Sequence, residues 1–218
     1  MGSEETRNAD RRRRARRWSG AAAIVGTLLA VGLPWIQIAV FGTRPYVTSA
    51  FDAGSLVGWV LMLAGLGGVS ATIGDRFGRL GRASVAATAV GMAIVSALLV
   101  RRTALFVEAG FRAVPATGED PAGLLLSMAT LLGLTLTVAG AGGIGLALRR
   151  GEKRASVTSW LLLLAPAIPL VLIAADLLFG LPLPLARLLV RTNAVLIPLG
   201  LGWLALGVRL VSHTRPHA

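Results

Sequence analysis

Few polar side chains interrupt the long apolar runs of this chain, and these are the residues whose types and positions could do chemistry. Asp176 is a carboxylate inside an apolar run, and Gln37, Asp52, Arg187 and Arg191 lie near the ends of such runs. Polar groups are costly in an apolar environment and usually pair or face a hydrated interior. Asp176 paired with Arg187 or Arg191 would therefore form an outward-facing polar site suited to transport.

The same side chains also have a simpler interpretation. Asp176 lies about 19 residues beyond Val157, or roughly 28 Å along a helix, which places it near a membrane surface. Long polar side chains at that depth reach lipid headgroups and water without forming a site. The sequence leaves both interpretations open.

Catalytic chemistry has little support. The chain has no cysteine, and both histidines, His213 and His217, lie in its last six residues. Motifs for nucleophilic catalysis, zinc hydrolysis or phosphate binding do not occur. We therefore expect no enzyme activity, no catalytic residue, no cofactor and no metal site.

The composition indicates a membrane protein. Hydrophobic residues make up 55% of the chain, charged residues 15%, and the mean hydropathy is +0.73. Soluble domains carry about a quarter charged residues. The lipid bilayer is thus the expected partner of most of the surface.

Six uncharged runs of 17 to 28 residues divide the chain. At a rise of about 1.5 Å per residue, such runs cross or nearly cross a bilayer as helices, and they alternate too little for barrel strands. The sequence predicts an all-α fold, a polytopic transmembrane helical bundle in a single domain, 19–211. Its six spans are expected at about residues 19–42, 54–73, 83–100, 122–148, 157–180 and 190–211.

The arginines predict the orientation. Assigning the two termini and the loops 74–82 and 149–154 to one side places 16 basic residues there and 6 on the other. The positive-inside rule then predicts a multi-pass protein of the plasma membrane with both termini in the cytoplasm. The flanking segments are a disordered basic stretch, 1–18, and a short tail, 212–218.

The tract "RRRRARRW" at 11–18 is expected to bind anionic lipid headgroups. A nucleic-acid-binding arm is the alternative, but the tract has no interleaved aromatic residues, so no nucleic-acid partner is predicted. A secretory signal would resemble this start, but its apolar region is only about 7 to 15 residues long. The first run is longer and is interpreted as a retained helix.

Two regions of the chain look alike. The segment "AGLGGV" at 64–69, in the second predicted helix, recurs as "AGAGGI" at 139–144 in the fourth, and "RASV" occurs at both 82–85 and 154–157. Either helices two and three are duplicated as helices four and five, or small residues and basic loops have converged. In both cases Ala64 with Gly68, and Ala139 with Gly143, are predicted helix-packing residues, since small residues four apart let helices approach closely.

Prolines lie inside three of the predicted spans. Pro34 falls in the first, Pro166 and Pro169 fall in the fifth, and Pro198 falls in the sixth. Each removes a backbone donor, so a kink or an unwound point is expected there.

The loop "GDRFGR" contains Asp75, Arg76, Gly78 and Arg79. It resembles the motif of the major facilitator superfamily, roughly G-x-x-x-D-R-x-G-R-R between the second and third helices. This resemblance implies transport, and because that family has twelve helices, it implies an oligomer of this chain. A tight basic turn would use the same residues, with glycine for positive φ and aspartate as a helix cap.

The chain is also similar to uncharacterised small polytopic membrane proteins of prokaryotes, through the segments 78–82, 145–150 and 200–207. This resemblance implies six helices and no particular activity. The sequence therefore favours a non-catalytic membrane protein, a scaffold or accessory subunit with a homo-oligomeric or other membrane partner. The alternative is a transporter or permease that works as an oligomer with a polar site near Asp176.

Overall fold

The computed structural model of the protein describes residues 2–41, 45–73, 78–111, 121–151, 156–179 and 196–212. Apart from Ser156 and residues 109–111, every described residue is helical, which confirms the all-α prediction for this part of the chain. Helix α1 consists of Gly2–Thr27, a π-helical segment Leu28–Gly32, and Leu33–Phe41. The other helices are α2 Pro45–Ile73, α3 Gly78–Glu108, α4 Pro121–Gly151, α5 Val157–Phe179 and α6 Leu196–Ser212.

Four of these helices are long and apolar enough to cross a membrane. Within the described residues, the qualifying stretches are Arg13–Gln37, Ala50–Ser70, Gly78–Glu108 and Leu125–Arg150. Shorter apolar stretches, Val157–Ile168 and Leu196–Ser212, lie in α5 and α6. Four of the six predicted spans thus correspond to helices that are long and apolar enough to cross a membrane.

The helix starts follow local sequence signals. Proline is the first residue of both α2 and α4, where its missing N–H costs no helical hydrogen bond. At α5 the N–H of Ser159 donates to Oγ of Ser156 over 3.3 Å, which is the geometry of an N-terminal cap.

Each helix packs against its neighbours in sequence, and α6 packs back against α1. The contacts show that consecutive helices run in opposite directions: Ala23 of α1 meets Gly65 of α2, whereas the later Ala30 meets the earlier Gly58. Gly20 of α1 meets Gly207 of α6, and the later Val31 of α1 meets the earlier Gly200 of α6. The first half of α1 and the end of α6 therefore lie at the same end of the helices, which we call the basic end. We call the opposite end, where Asp52 and Arg102 form an ion pair, the ion-pair end.

Helices α1 and α2 approach closely through glycines. A Cβ on Gly26 would lie 2.7 Å from the carbonyl oxygen of Gly58, and a Cβ on Gly58 would lie 2.7 Å from the carbonyl oxygen of Gly26. Further along, Gly65 faces Ala23, and Gly68 faces Ser19. Larger side chains at these glycines would push the two backbones apart.

Helices α3 and α4 repeat this packing. A Cβ on Gly91 would lie 2.5 Å from the carbonyl oxygen of Gly133, and a Cβ on Gly140 would lie 2.7 Å from that of Ser84. Gly143 faces the side chain of Ser84. As in the first pair of helices, small residues set the distance between the two backbones.

The two hairpins correspond residue by residue. In the first helix of each hairpin, Ser19 and Gly26 of α1 have the same spacing as Ser84 and Gly91 of α3. In the second helix, the glycines at 58, 65 and 68 recur with unchanged spacing at 133, 140 and 143. The predicted likeness of the second and fourth helices therefore extends to their packing. The same arrangement of small residues thus packs α1 against α2 and α3 against α4. Whether helices two and three are duplicated as helices four and five stays open.

The prolines act differently in α1 and α5. The π-helical segment Leu28–Gly32 ends two residues before Pro34. The N–H of Leu33, at its end, donates to the carbonyl of Leu28. A proline clashes with the carbonyl four residues earlier, and a wider turn relieves this clash. Helix α5 continues through Pro166, whose ring packs against Gly142 of α4, where a Cβ would lie 2.5 Å from Cγ.

The interior of the described helices is apolar and closely packed. The largest fully buried side chains include Trp203, Met62, Met92 and Ile144. Three buried threonine hydroxyls each donate to the carbonyl four residues earlier in their own helix, over 2.7 to 2.8 Å: Thr27, Thr88 and Thr137. These three hydroxyls are satisfied within their own helices.

The outer surface is apolar as well. Large hydrophobic side chains on every helix are exposed, among them Leu28, Val90, Leu131, Leu164 and Leu201. A soluble monomer rarely exposes apolar surface on all of its elements, whereas a lipid-facing surface is expected to look like this.

The described part of the basic segment, 2–18, is helical and belongs to α1. Arginine and alanine, which fill positions 11–17, are good helix formers. The predicted disorder of this segment stays a prediction.

Candidate functional site at the ion-pair end

One ion pair joins the two repeated hairpins in the described part of the chain. Nη2 of Arg102, near the end of α3, lies 2.9 Å from Oδ2 of Asp52, in the second turn of α2. The Asp52 side chain is 17% exposed and that of Arg102 is 52% exposed. Because α2 and α3 run in opposite directions, the pair lies at the ion-pair end of the seam between the hairpins.

The two partners differ in their surroundings. Asp52 is largely withdrawn from solvent, and a carboxylate in that position is costly unless a cation or hydrogen-bond donors face it. Arg102 supplies that cation while part of its guanidinium reaches the surface. Asp52 is therefore the largely buried side chain of the pair, and Arg102 is the solvent-accessible one.

Gln37 lies at the same end of the molecule. It follows Ala30 by seven residues, and Asp52 precedes Gly58, which Ala30 contacts, by six residues. Both side chains are therefore about 10 Å beyond the same contact, at similar depth. Gln37 is buried. The structure thus places two of the five predicted polar residues, Gln37 and Asp52, at one level.

Asp176 is in α5, which packs against α4 and α6. Pro166 of α5 lies opposite Gly142 of α4, and the adjacent Gly143 faces Ser84 of α3. Asp176 follows Pro166 by ten residues and Arg102 follows Ser84 by eighteen, so Asp176 lies on the order of 10 Å nearer the middle of the helices than Arg102. Arg187 and Arg191 lie outside the described residues, so their pairing with Asp176 stays a prediction.

The loop motif is described in part. Asp75 and Arg76 lie outside the described residues. Gly78 begins α3 with a φ of 60°, a conformation that other residues adopt at a cost, and Arg79 after it is exposed. Gly78 thus has a conformational role at the start of α3.

The predicted packing residues separate into two groups. Gly68 and Gly143 lie between helices, facing Ser19 and Ser84. Ala64 and Ala139 are exposed. The contact faces continue through Gly65 and Gly140 instead, because positions three and seven apart share a helix face as well as positions four apart.

Arg102 was not among the predicted site residues. The third span was predicted to end at about residue 100, but α3 continues to Glu108, so Arg102 lies on a helix beside Asp52. The sequence did contain a signal for this pair: Arg102 lies near the end of the third span, and the oppositely charged Asp52 lies near the start of the second. In antiparallel neighbours such positions meet.

The basic end has a different polar contact. The guanidinium carbon of Arg149, in the last turn of α4, lies 4.5 Å from the ring centroid of Trp160 near the start of α5. Both residues are exposed. This cation–π contact places an arginine and an amphipathic aromatic ring together at one surface, as is typical of a membrane interface.

The described residues contain no cluster of three or more histidine, cysteine or acidic side chains that could hold a metal ion. The arrangement at the ion-pair end is a carboxylate–guanidinium pair with the buried amide of Gln37 at a similar depth. The ion pair can hold α2 and α3 together, and each of its two side chains can instead pair with another charged group. Comparison of the chain with protein-family models, curated proteins and solved structures gives no match to any of them.

Proposed function

We propose that this chain is a non-catalytic integral membrane protein, a scaffold or accessory subunit, with six spans in the plasma membrane. The observation that carries the proposal is the combination of an apolar exterior with a closely packed apolar interior. Trp203, Met62 and Met92 fill the space between the helices and are fully buried. A transport path needs polar or hydrated walls, and the hydroxyls of Thr27, Thr88 and Thr137 bond their own helices instead of lining such a path.

The packing also supports a common side for both ends of the chain. Gly20 and Gly207 are in contact, so the first half of α1 and the end of α6 lie at the same end of the helices. The side with 16 of the 22 basic residues includes that end. By the positive-inside rule we assign the basic end to the cytoplasm and the ion-pair end to the outer surface.

Lipid is the proposed partner along the whole exterior. The arginines at 11–17 lie on the cytoplasmic extension of α1, next to the exposed Trp18. Together with Arg149 and Trp160 they form a basic and aromatic surface that suits anionic headgroups. A second copy or another membrane protein is the proposed partner within the bilayer.

The chain offers a simple topology experiment, because it has no cysteine. The variants Ala109→Cys, after the end of α3, and Ser212→Cys, at the end of α6, each carry one thiol at an exposed position. A membrane-impermeant maleimide should label the first variant in intact cells and the second only after permeabilisation. The reverse pattern, or labelling of both in intact cells, would overturn the proposed orientation.

The second candidate function is a transporter, and it is favoured by the Asp52–Arg102 ion pair between two helices that are long enough to cross a membrane. The two functions differ in the access of water to the interior. A scaffold predicts that Met92→Cys, at a fully buried position of α3, resists a water-soluble thiol reagent applied from either side. Reaction of that thiol, while the lipid-facing control Val90→Cys stays unreactive, would favour the transporter instead.

A further inference from the structure

The closest backbone approaches lie within the hairpins. In α1–α2 the carbonyl oxygens of Gly26 and Gly58 each come within 2.7 Å of the place where the other glycine would carry a Cβ. In α3–α4 the corresponding distance from Gly91 to the carbonyl oxygen of Gly133 is 2.5 Å. Backbones in such contact have little freedom to slide, so each hairpin behaves as one packed unit.

The seam between the hairpins is built differently. The glycines of α2 that have a neighbouring atom within 4 Å all face α1: Gly54, Gly58, Gly65 and Gly68. Gly91 of α3 faces α4. Helices α2 and α3 do pack against each other, and at the ion-pair end of their seam Asp52 meets Arg102. This contact depends on two side chains rather than on backbone approach.

We propose that the Asp52–Arg102 pair is a latch that keeps the outer end of the seam between the two hairpins closed, and that its release lets water reach the buried Ser55. Ser55 follows Asp52 by three residues, on the same side of α2, and is 5% exposed. The latch rests on the membrane location given under the proposed function and does not depend on whether the protein transports.

The ion pair suits a latch because its two side chains differ in their exposure to solvent. Asp52 is held in the fold, whereas Arg102 is half exposed on a long flexible stem and has an alternative partner in water or headgroups. Release therefore requires movement of one side chain. Because the Arg102 side chain is half exposed, ions in solution can still screen the pair and weaken it.

Thiol accessibility tests the latch. Ser55→Cys reports on the seam, and Thr158→Cys, 6% exposed at the basic end, is the matched control. Both are placed in otherwise unchanged full-length protein, in open membrane fragments treated with a water-soluble methanethiosulfonate reagent. Adding Asp52→Asn, or Arg102→Gln, should raise the reaction rate at position 55 about tenfold, because a change of this size is expected when a partly buried ion pair is lost. The rate at position 158 should stay unchanged.

Two further arms separate charge from packing. Exchange of the charges, Asp52→Arg with Arg102→Asp, should restore slow reaction at position 55. Raising the salt concentration should speed the reaction in the chain with the native pair and have no effect once Asp52→Asn is present. A swap that leaves the rate high would show that side-chain packing closes the seam, and it would overturn the latch.

Other outcomes are equally decisive. If neither single variant changes the rate at position 55, the pair does not hold the seam. If the rates at positions 55 and 158 rise together, the variants loosen the whole protein and the latch is again rejected. Loss of the membrane location would appear separately, as failure of the Ala109→Cys and Ser212→Cys labelling pattern.

Discussion

Gly26 and Gly58 face each other across α1 and α2 so closely that a Cβ on either one would lie 2.7 Å from the other's carbonyl oxygen. Gly91 and Gly133 have the corresponding relationship in α3 and α4. Each hairpin is thus built on a glycine-to-glycine crossing, and the consequences of filling these crossings can be measured.

We expect Gly58→Val to destabilise the protein by about 2–4 kcal/mol, because the added atoms overlap the backbone of Ala30 and Gly26. Thermal or denaturant unfolding in detergent measures the loss. Gly67→Ala is the matched control, since it lies on the same helix with nothing within 4 Å of the added Cβ. It should be neutral or stabilise by up to about 1 kcal/mol, as expected for alanine in place of glycine in a helix. Equal losses in both variants would show that the crossing is not tight.

The repeat predicts matched effects in the two hairpins. Gly65→Ala and Gly140→Ala place a methyl group against α1 and α3, respectively, at 2.9 Å or less from the nearest atom. Both should destabilise the protein, by about 1–3 kcal/mol each. Since the two sites share no partner, the double variant should lose the sum of the two values within about 0.5 kcal/mol. An effect confined to one hairpin would contradict equivalent packing.

Loss of Arg102 should cost more than loss of the whole pair. In Arg102→Gln the largely buried Asp52 keeps its charge without its partner, so we expect a loss of about 1–3 kcal/mol in unfolding free energy. Asp52→Asn combined with Arg102→Gln removes both charges and should recover part of that loss. Arg101→Gln, at an exposed neighbouring position, should stay within about 0.5 kcal/mol of the native protein. A double variant less stable than Arg102→Gln would contradict this account.

The buried threonine hydroxyls should matter little to stability. The Thr137 hydroxyl donates to the carbonyl of Gly133, over 2.8 Å, within the same helix. That carbonyl remains an acceptor of a helical N–H, so Thr137→Val, which keeps the shape, should change the unfolding free energy by less than about 1 kcal/mol. Unfolding of the variant in detergent measures this. A larger loss would indicate that the hydroxyl also binds something between the helices.

Much of the fold follows from hydropathy. The apolar runs before Arg44, Asp75, Arg101 and Arg149 correspond to helices α1 to α4 because a bilayer requires long helices with satisfied backbones. The helix ends are less predictable: α3 continues past Arg101 and Arg102 to Glu108, since a helix can extend beyond the membrane. That extension is why Arg102 was not recognised as the partner of Asp52.

The packing faces show a second limit. The motif "AGLGG" contains three glycines and one alanine, and the sequence alone does not say which of them face another helix. Gly65 and Gly68 do so, whereas Ala64 and Gly67 are exposed. The choice depends on the rotation of α2 about its axis, which contacts with α1 fix and which composition does not encode.

Contact between Gly20 and Gly207 also affects how the protein is made. These residues lie near opposite ends of the sequence, so the face of α1 that receives α6 stays uncovered until almost the whole chain has been synthesised. During that interval the α6 of another nascent chain can occupy it, which is the route to domain-swapped dimers. Correct biogenesis therefore depends on insertion of α6 beside its own α1 before neighbouring chains meet.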